Sequence, residues 1–132
     1  MSSVTITKIL EGQRNVVFHV AIVGDGLGDL ADAVLIDPAT SFDPAMRAGP
    51  TIKLDCIQYD LTGFSAWLEY DQLLSDLPVW TMSDGNPACF DFTQFGGLFD
   101  RSVASDGSGK LLLSTSGLAA GDRGTIILRV RK

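Results

Sequence analysis

His19 is the only imidazole in the sequence, and no residue near it is suited to share a reaction with it. A nucleophile-and-base pair needs the base within hydrogen-bond reach of a serine, threonine or cysteine and oriented by a third group. His19 instead falls within 16–23, where Val16, Phe18, Val20 and Ile22 alternate with Val17, His19, Ala21 and Val23. That period of two puts it on the second face of a strand, at a sheet surface. No Gly-x-Ser-x-Gly elbow occurs. The acids are fourteen aspartates with Glu11 and Glu69. Two of them could stand at the roughly 5–9.5 Å that glycoside hydrolysis requires, but sixteen acids guarantee chance pairs. No catalytic residue is expected, and the reading is of a protein that is not an enzyme.

Cys56 and Cys89 lie 33 positions apart and form no Cys-x-x-Cys pair. Two thiols and one imidazole are too few for a tetrahedral zinc site, so zinc is rejected. The favoured reading is two reduced thiols filling core or surface positions, with a disulfide left open. The run Gly24-Asp25-Gly26-Leu27-Gly28-Asp29 has the glycines of a phosphate cradle at the wrong spacing. It also lacks a lysine, and two aspartates would repel an anion. Calcium is the better ligand for such acids, with Asp25, Asp29 and Asp32 joined by Asp84 or Asp106. The Asp-x-Asp-x-Asp-Gly order of an EF-hand is missing, so solvated turn aspartates are favoured. No metal or cofactor is expected. Trp67 and Trp80 could stack on sugars, but tryptophan serves more often as a core or interface anchor.

The elements that must position these residues are strands. Val4, Ile6 and Leu10 share parity in a first segment, and 33–37 is a short strand stopped by Pro38. In 51–59, Ile52, Leu54 and Cys56 share one face before Ile57 and Tyr59 take over, which predicts a bulge near Cys56. Phe64, Ala66, Leu68 and Tyr70 alternate next, with 61–63 as the turn of a hairpin. Leu77 to Met82, Lys110 to Thr115 and Thr125 to Arg131 complete the set, while Trp80, Phe90 and Phe95 are expected in the core. Asp43 could cap one helical turn reaching Arg47. About eight short strands with turns every 8–12 residues predict one all-β domain over 1–132. Its architecture is a two-sheet antiparallel β-sandwich, jelly-roll or Ig-like.

With 132 residues and a formal net charge of −6, the chain has too few cations to wrap phosphates, so nucleic acid is not an expected partner. Its longest uncharged apolar run, 16–23, is far short of the roughly 20 residues of a membrane-spanning helix. The opening MSSVTITKIL lacks the basic and apolar regions of a signal peptide, so none is expected.

Four phrases together resemble small structural proteins of tailed bacteriophages. They are TITKILEGQRNVVFHVAIVGDG, KLDCIQYDLTGFSAWLEYD, FDFTQFGGL and GKLLLSTSGLAAGDRGTIILRVRK. The last combines a Leu-Ser-Thr-x-Gly turn entry with a basic final strand. The likeness is greatest to capsid decoration (cement) proteins, and Asp100-Arg101 depart from the polar Asn/Gly loop of that pattern. It implies a β-sandwich without catalysis, made in the host cytoplasm and carried on the outer capsid surface of the virion. The implied partners are the major capsid protein and further copies of the chain, as a homotrimer at three-fold positions. Arg129, Arg131 and Lys132 are the first candidate contacts. They could equally form a charged solvent face that blocks edge aggregation. Phe42, Met46 and Arg47, in the Pro-bounded 38–50 loop, are the second contact group. The alternative is a carbohydrate- or receptor-binding sandwich of a phage tail or fibre, which would depend on Trp67.

Overall fold

The computed structural model describes residues 2–43, 45, 52–73, 75–85, 87–99 and 107–132. Nine strands are present among them: β1 (Ser3–Glu11), β2 (Asn15–Val23), β3 (Ala33–Ile36), β4 (Lys53–Thr62), β5 (Ser65–Gln72), β6 (Leu77–Met82), β7 (Ala88–Asp91), β8 (Gly107–Ser116) and β9 (Arg123–Arg131). They form two antiparallel sheets, ordered β1-β2-β9-β4-β7 and β3-β8-β5-β6. The expected β-sandwich is the observed fold. No described helix is long and apolar enough to cross a membrane.

Period-two burial builds the core. Val16, Phe18, Val20 and Ile22 of β2 lie beside Ile126, Leu128 and Val130 of β9, facing Ala66, Leu68 and Tyr70 of β5 and Leu111 and Leu113 of β8. Removing such side chains from water is worth about 1.5–3 kcal/mol each. Val17, His19 and Ala21 take the outer face, as alternation predicts. The bulge is also where it was expected: Leu54 opposes Val130 and Cys56 opposes Arg129, so Asp55 is the extra residue.

Three expectations are corrected. β4 and β5 do not form a hairpin, because 61–63 carries the chain from one sheet to the other. Gly63 makes that crossing at φ +92, and a Cβ there would lie 2.2 Å from Asp122 Oδ1. β9 runs between β2 and β4, so its cations guard no edge. Phe90 and Phe95 are exposed, the latter at 67%. They sit on and just beyond the short edge strand β7, where Phe92 is buried in the core and Ala88 packs against it. Asp43 Oδ1 accepts the Ala45 N–H at 2.9 Å, as a turn-capping aspartate does. Pro44, Met46 and Arg47 lie outside the described residues.

Candidate functional site

A sandwich has two open sides, and here one is lined by edge strands β1 and β3. Among the described residues β1 pairs only with β2, and its register slips between Lys8 and Leu10, leaving Ile9 as the extra residue. Ile9 and Leu10 are 57% and 60% exposed. Ile6 and Val34 are exposed too, and both line a cleft of about 510 Å³ with Lys8, Phe18, Leu35, Asp37, Thr40 and Ser41. An edge strand presents unpaired N–H and C=O groups, and natural sheets usually blunt it with charge. β1 carries one cation, Lys8, whose ammonium is occupied by Glu11 and by the Ser41 carbonyl at 3.2 Å. Among the described residues the bulge is the remaining guard.

Glu11 fastens one end of this side. It receives Lys132 Nζ at 2.9 Å, the Asp43 N–H at 2.8 Å and the Lys8 ammonium. Hydrogen bonds from Lys132, then Lys8, hold its carboxyl at about 2. Lys132 Nζ also lies 5.3 Å from the centre of the Phe42 ring, which packs on Phe18. Phe42 is therefore a core residue at 4% exposure, not part of an exposed loop patch. Lys132 is an internal tie whose side chain is 3% exposed.

Arg131 is also committed inward. Its Nε meets the buried Asp55 carboxylate at 2.7 Å, and a terminal nitrogen donates to the Gly96 carbonyl at 2.6 Å. Together they dock the segment after β7 against β4, where Leu54 and Leu98 exchange both backbone hydrogen bonds. Gly97, at φ +87, is required there because a Cβ would lie 2.8 Å from Asp55 Oδ1. Asp55 was missed as an anchor, although the parity break at Cys56 marks its place. Of the described contact candidates, Arg129 remains on the surface, with its guanidinium 3.8 Å from Asp91.

The suspected calcium aspartates do not converge. Asp29 binds the Leu118 and Gly117 N–H groups and the Thr115 hydroxyl, which lower its carboxyl, the Leu118 bond most. Asp25 accepts the Leu27 N–H, and Asp84 accepts the Gly63 N–H. Asp106 lies outside the described residues. Asp32 instead meets Glu69 and Asp76, with one oxygen of each within 4.8 Å of the others. Those are three of the 6–8 oxygens that calcium takes. Two of these carboxylates already accept protein N–H groups, Glu69 from Trp67 Nε1 and Asp76 from Gln72.

His19 stands on the outer face between Thr7 and Ile127. Trp67 is half-buried on the outer face of the other sheet, opposite Ser114 and Thr81. No protein-family model matches the sequence, and no curated protein matches it.

Proposed function

We propose that this chain is a non-enzymatic structural protein of a tailed-phage virion. In this reading it is a decoration (cement) protein that binds the outer head surface and stabilises contacts between major capsid subunits. It acts as a homo-oligomer, a trimer by the resemblance described above. The observation that carries the proposal is the open side formed by β1 and β3. A 14.1 kDa acidic domain leaves Ile6 and Val34 exposed in one cleft and Ile9 and Leu10 exposed further along β1, at a strand edge with no partner among the described residues. Single exposed apolar residues are ordinary on a surface, but four of them on two edge strands suit docking by strand addition or by side-chain packing. Symmetric copies on a repeating shell multiply a modest affinity by avidity. The contact set is thus Ile6, Ile9, Leu10 and Val34, with Arg129 a separate surface cation.

A cryo-EM reconstruction of the virion encoding this chain tests the proposal. Regular density for the sandwich on the outer head, at three-fold or quasi-three-fold positions with β1 against capsid protein, is the expected result. Density confined to tail or fibre overturns the decoration role and favours the adhesin reading. That reading then requires glycan binding that is lost in Trp67→Ala. A particle without the chain overturns both.

A further inference from the structure

We propose that Cys56 and Cys89 are an oxidation site, closing into a disulfide between β4 and β7 on reaction with a low-molecular-weight disulfide such as oxidised glutathione. Gln58 opposes Cys89 and Cys56 opposes Asp91, so the cysteines are diagonal neighbours on the outer face of the five-stranded sheet. Diagonal neighbours on adjacent strands stand farther apart than directly opposed ones, yet the two side chains turn toward each other and the Sγ atoms are 3.9 Å apart. A disulfide needs about 2.05 Å, so the sulfurs must close by somewhat less than 2 Å. β7 can supply that movement, being four residues long, at the sheet edge and, among the described residues, paired only with β4.

The two thiols differ in a way that assigns their order of reaction. Cys89 is exposed, and it lines a shallow groove of about 380 Å³ with Gln58, Asp60, Pro87, Thr125 and Ile127, through which a small disulfide can approach. Cys56 is half-buried, and its thiol is raised by burial and then by the neighbouring Cys89. The Cys89 thiolate attacks one glutathione sulfur, the glutathione S–S bond breaks, and one glutathione thiolate leaves. Cys56 then releases its proton to water and attacks Cys89 Sγ, forming the protein disulfide and expelling the second glutathione. Two protein thiols are oxidised and one glutathione disulfide is reduced to two thiols. The bond would staple an edge strand whose continuation carries Phe92 and the Gly96 carbonyl held by Arg131. It does not depend on the virion role.

The test uses the folded full-length chain, incubated with oxidised glutathione under native conditions and read by intact mass, thiol titration and non-reducing gel. The wild type is expected to lose both thiols and two hydrogens, with no intermolecular disulfide on the denaturing gel and no adduct. Its Tm should rise by about 10 °C over the reduced form, since the bond constrains a long loop of the unfolded chain. Cys56→Ser should stop at one glutathione on Cys89, which shows the missing resolving thiol even if that variant is less stable. A persistent glutathione adduct on the wild type, a disulfide-linked dimer, or two thiols left unreacted would overturn the proposal. So would an oxidised form whose Tm is unchanged or lower, because the bond would then not fit the native strand pair.

Discussion

The two open sides of the sandwich face the same physical problem and handle it differently. On the β6 and β7 side, aromatic rings close the gap. Trp80 packs on Phe90 and Phe92 at ring-centre distances of 4.8 and 4.9 Å, Tyr59 lies behind Phe90, and Phe92 meets Phe95. The chain then folds back along β4 through Leu98 and is clamped by Asp55 and Arg131. Closure there tolerates one orphan, since Trp80 Nε1 is buried without a hydrogen-bond partner among the described residues. On the β1 and β3 side, Ile6, Val34 and Leu35 share the gap with Phe18, Lys8, Asp37, Thr40 and Ser41, and a cleft stays open between the edges. Rings pack across the first side while the second keeps a cleft between its edge strands, which makes the second the side on which a partner can be added.

That contrast is sharpest in stability, so Phe92→Ala should have the largest effect. Deleting a core ring costs about 3–5 kcal/mol, and Phe92 is 4% exposed within the aromatic plug. The matching truncation on the open side, Ile6→Ala, should cost about 1 kcal/mol or less, because that side chain is already partly in water. Urea melts of both variants check the pair, and equal losses would break the comparison. Next is Arg131→Met, which leaves the buried Asp55 carboxylate without its partner. Breaking a buried pair from one end costs about 3–5 kcal/mol. Arg131 is partly exposed, so about 2–3 kcal/mol is expected, with enhanced proteolysis after β7 as a local sign.

How much of this was legible in the sequence depends on how local each feature is. The faces of β2, β5 and β9 and the bulge at Asp55 follow from side-chain parity, which any strand of a two-layer fold must obey. Parity does not say which sheet a strand joins. For that reason β4 and β5 read as a hairpin, although Gly63 carries the chain across the sandwich between them. Nor does it say which strand lies at an edge, so the cations of β9 read as an edge guard when β9 is interior. Phe42 read as a loop contact because its burial depends on Phe18 and Lys132, residues distant in sequence. The cysteine pair was hidden for the same reason: a separation of 33 residues says nothing until β4 and β7 are known to be neighbours.

Glu11 gives a pH-dependent way to probe the open side. Lys132 and Lys8 hold its folded-state carboxyl at about 2, against an ordinary value of 4.5. As pH falls, the unfolded chain takes up this proton first, so acid favours unfolding. The stabilisation from Glu11 is complete above its ordinary value and is lost between about 4.5 and about 2. Glu11→Gln should therefore flatten the acid limb of the stability curve measured by urea melts from pH 6 to pH 2. A slope should remain from Asp29 and Asp91, whose carboxyls are also lowered, by the Leu118 N–H and by Thr93 respectively. An unchanged slope in Glu11→Gln would mean that the polar tie beside Phe42 does not hold that end of the cleft.

The smallest stability effect carries the most weight for function. Ile9 is the extra residue of the β1 bulge and Leu10 follows it, both more than half exposed. Surface substitutions of this kind usually shift stability by no more than about 0.5 kcal/mol. Ile9→Ser with Leu10→Ser should therefore melt with the wild type and gain solubility, since an apolar strand edge is an aggregation hazard. If the open side docks on capsid, the same variant should fail to co-sediment with heads lacking the wild-type chain. Arg129→Ala serves as a control from the outer face of the sheet and should still bind. Head binding retained by the β1 variant and lost in Arg129→Ala would reverse the assignment, making the flat face of the five-stranded sheet the docking surface and the exposed edge a feature of the free protein alone.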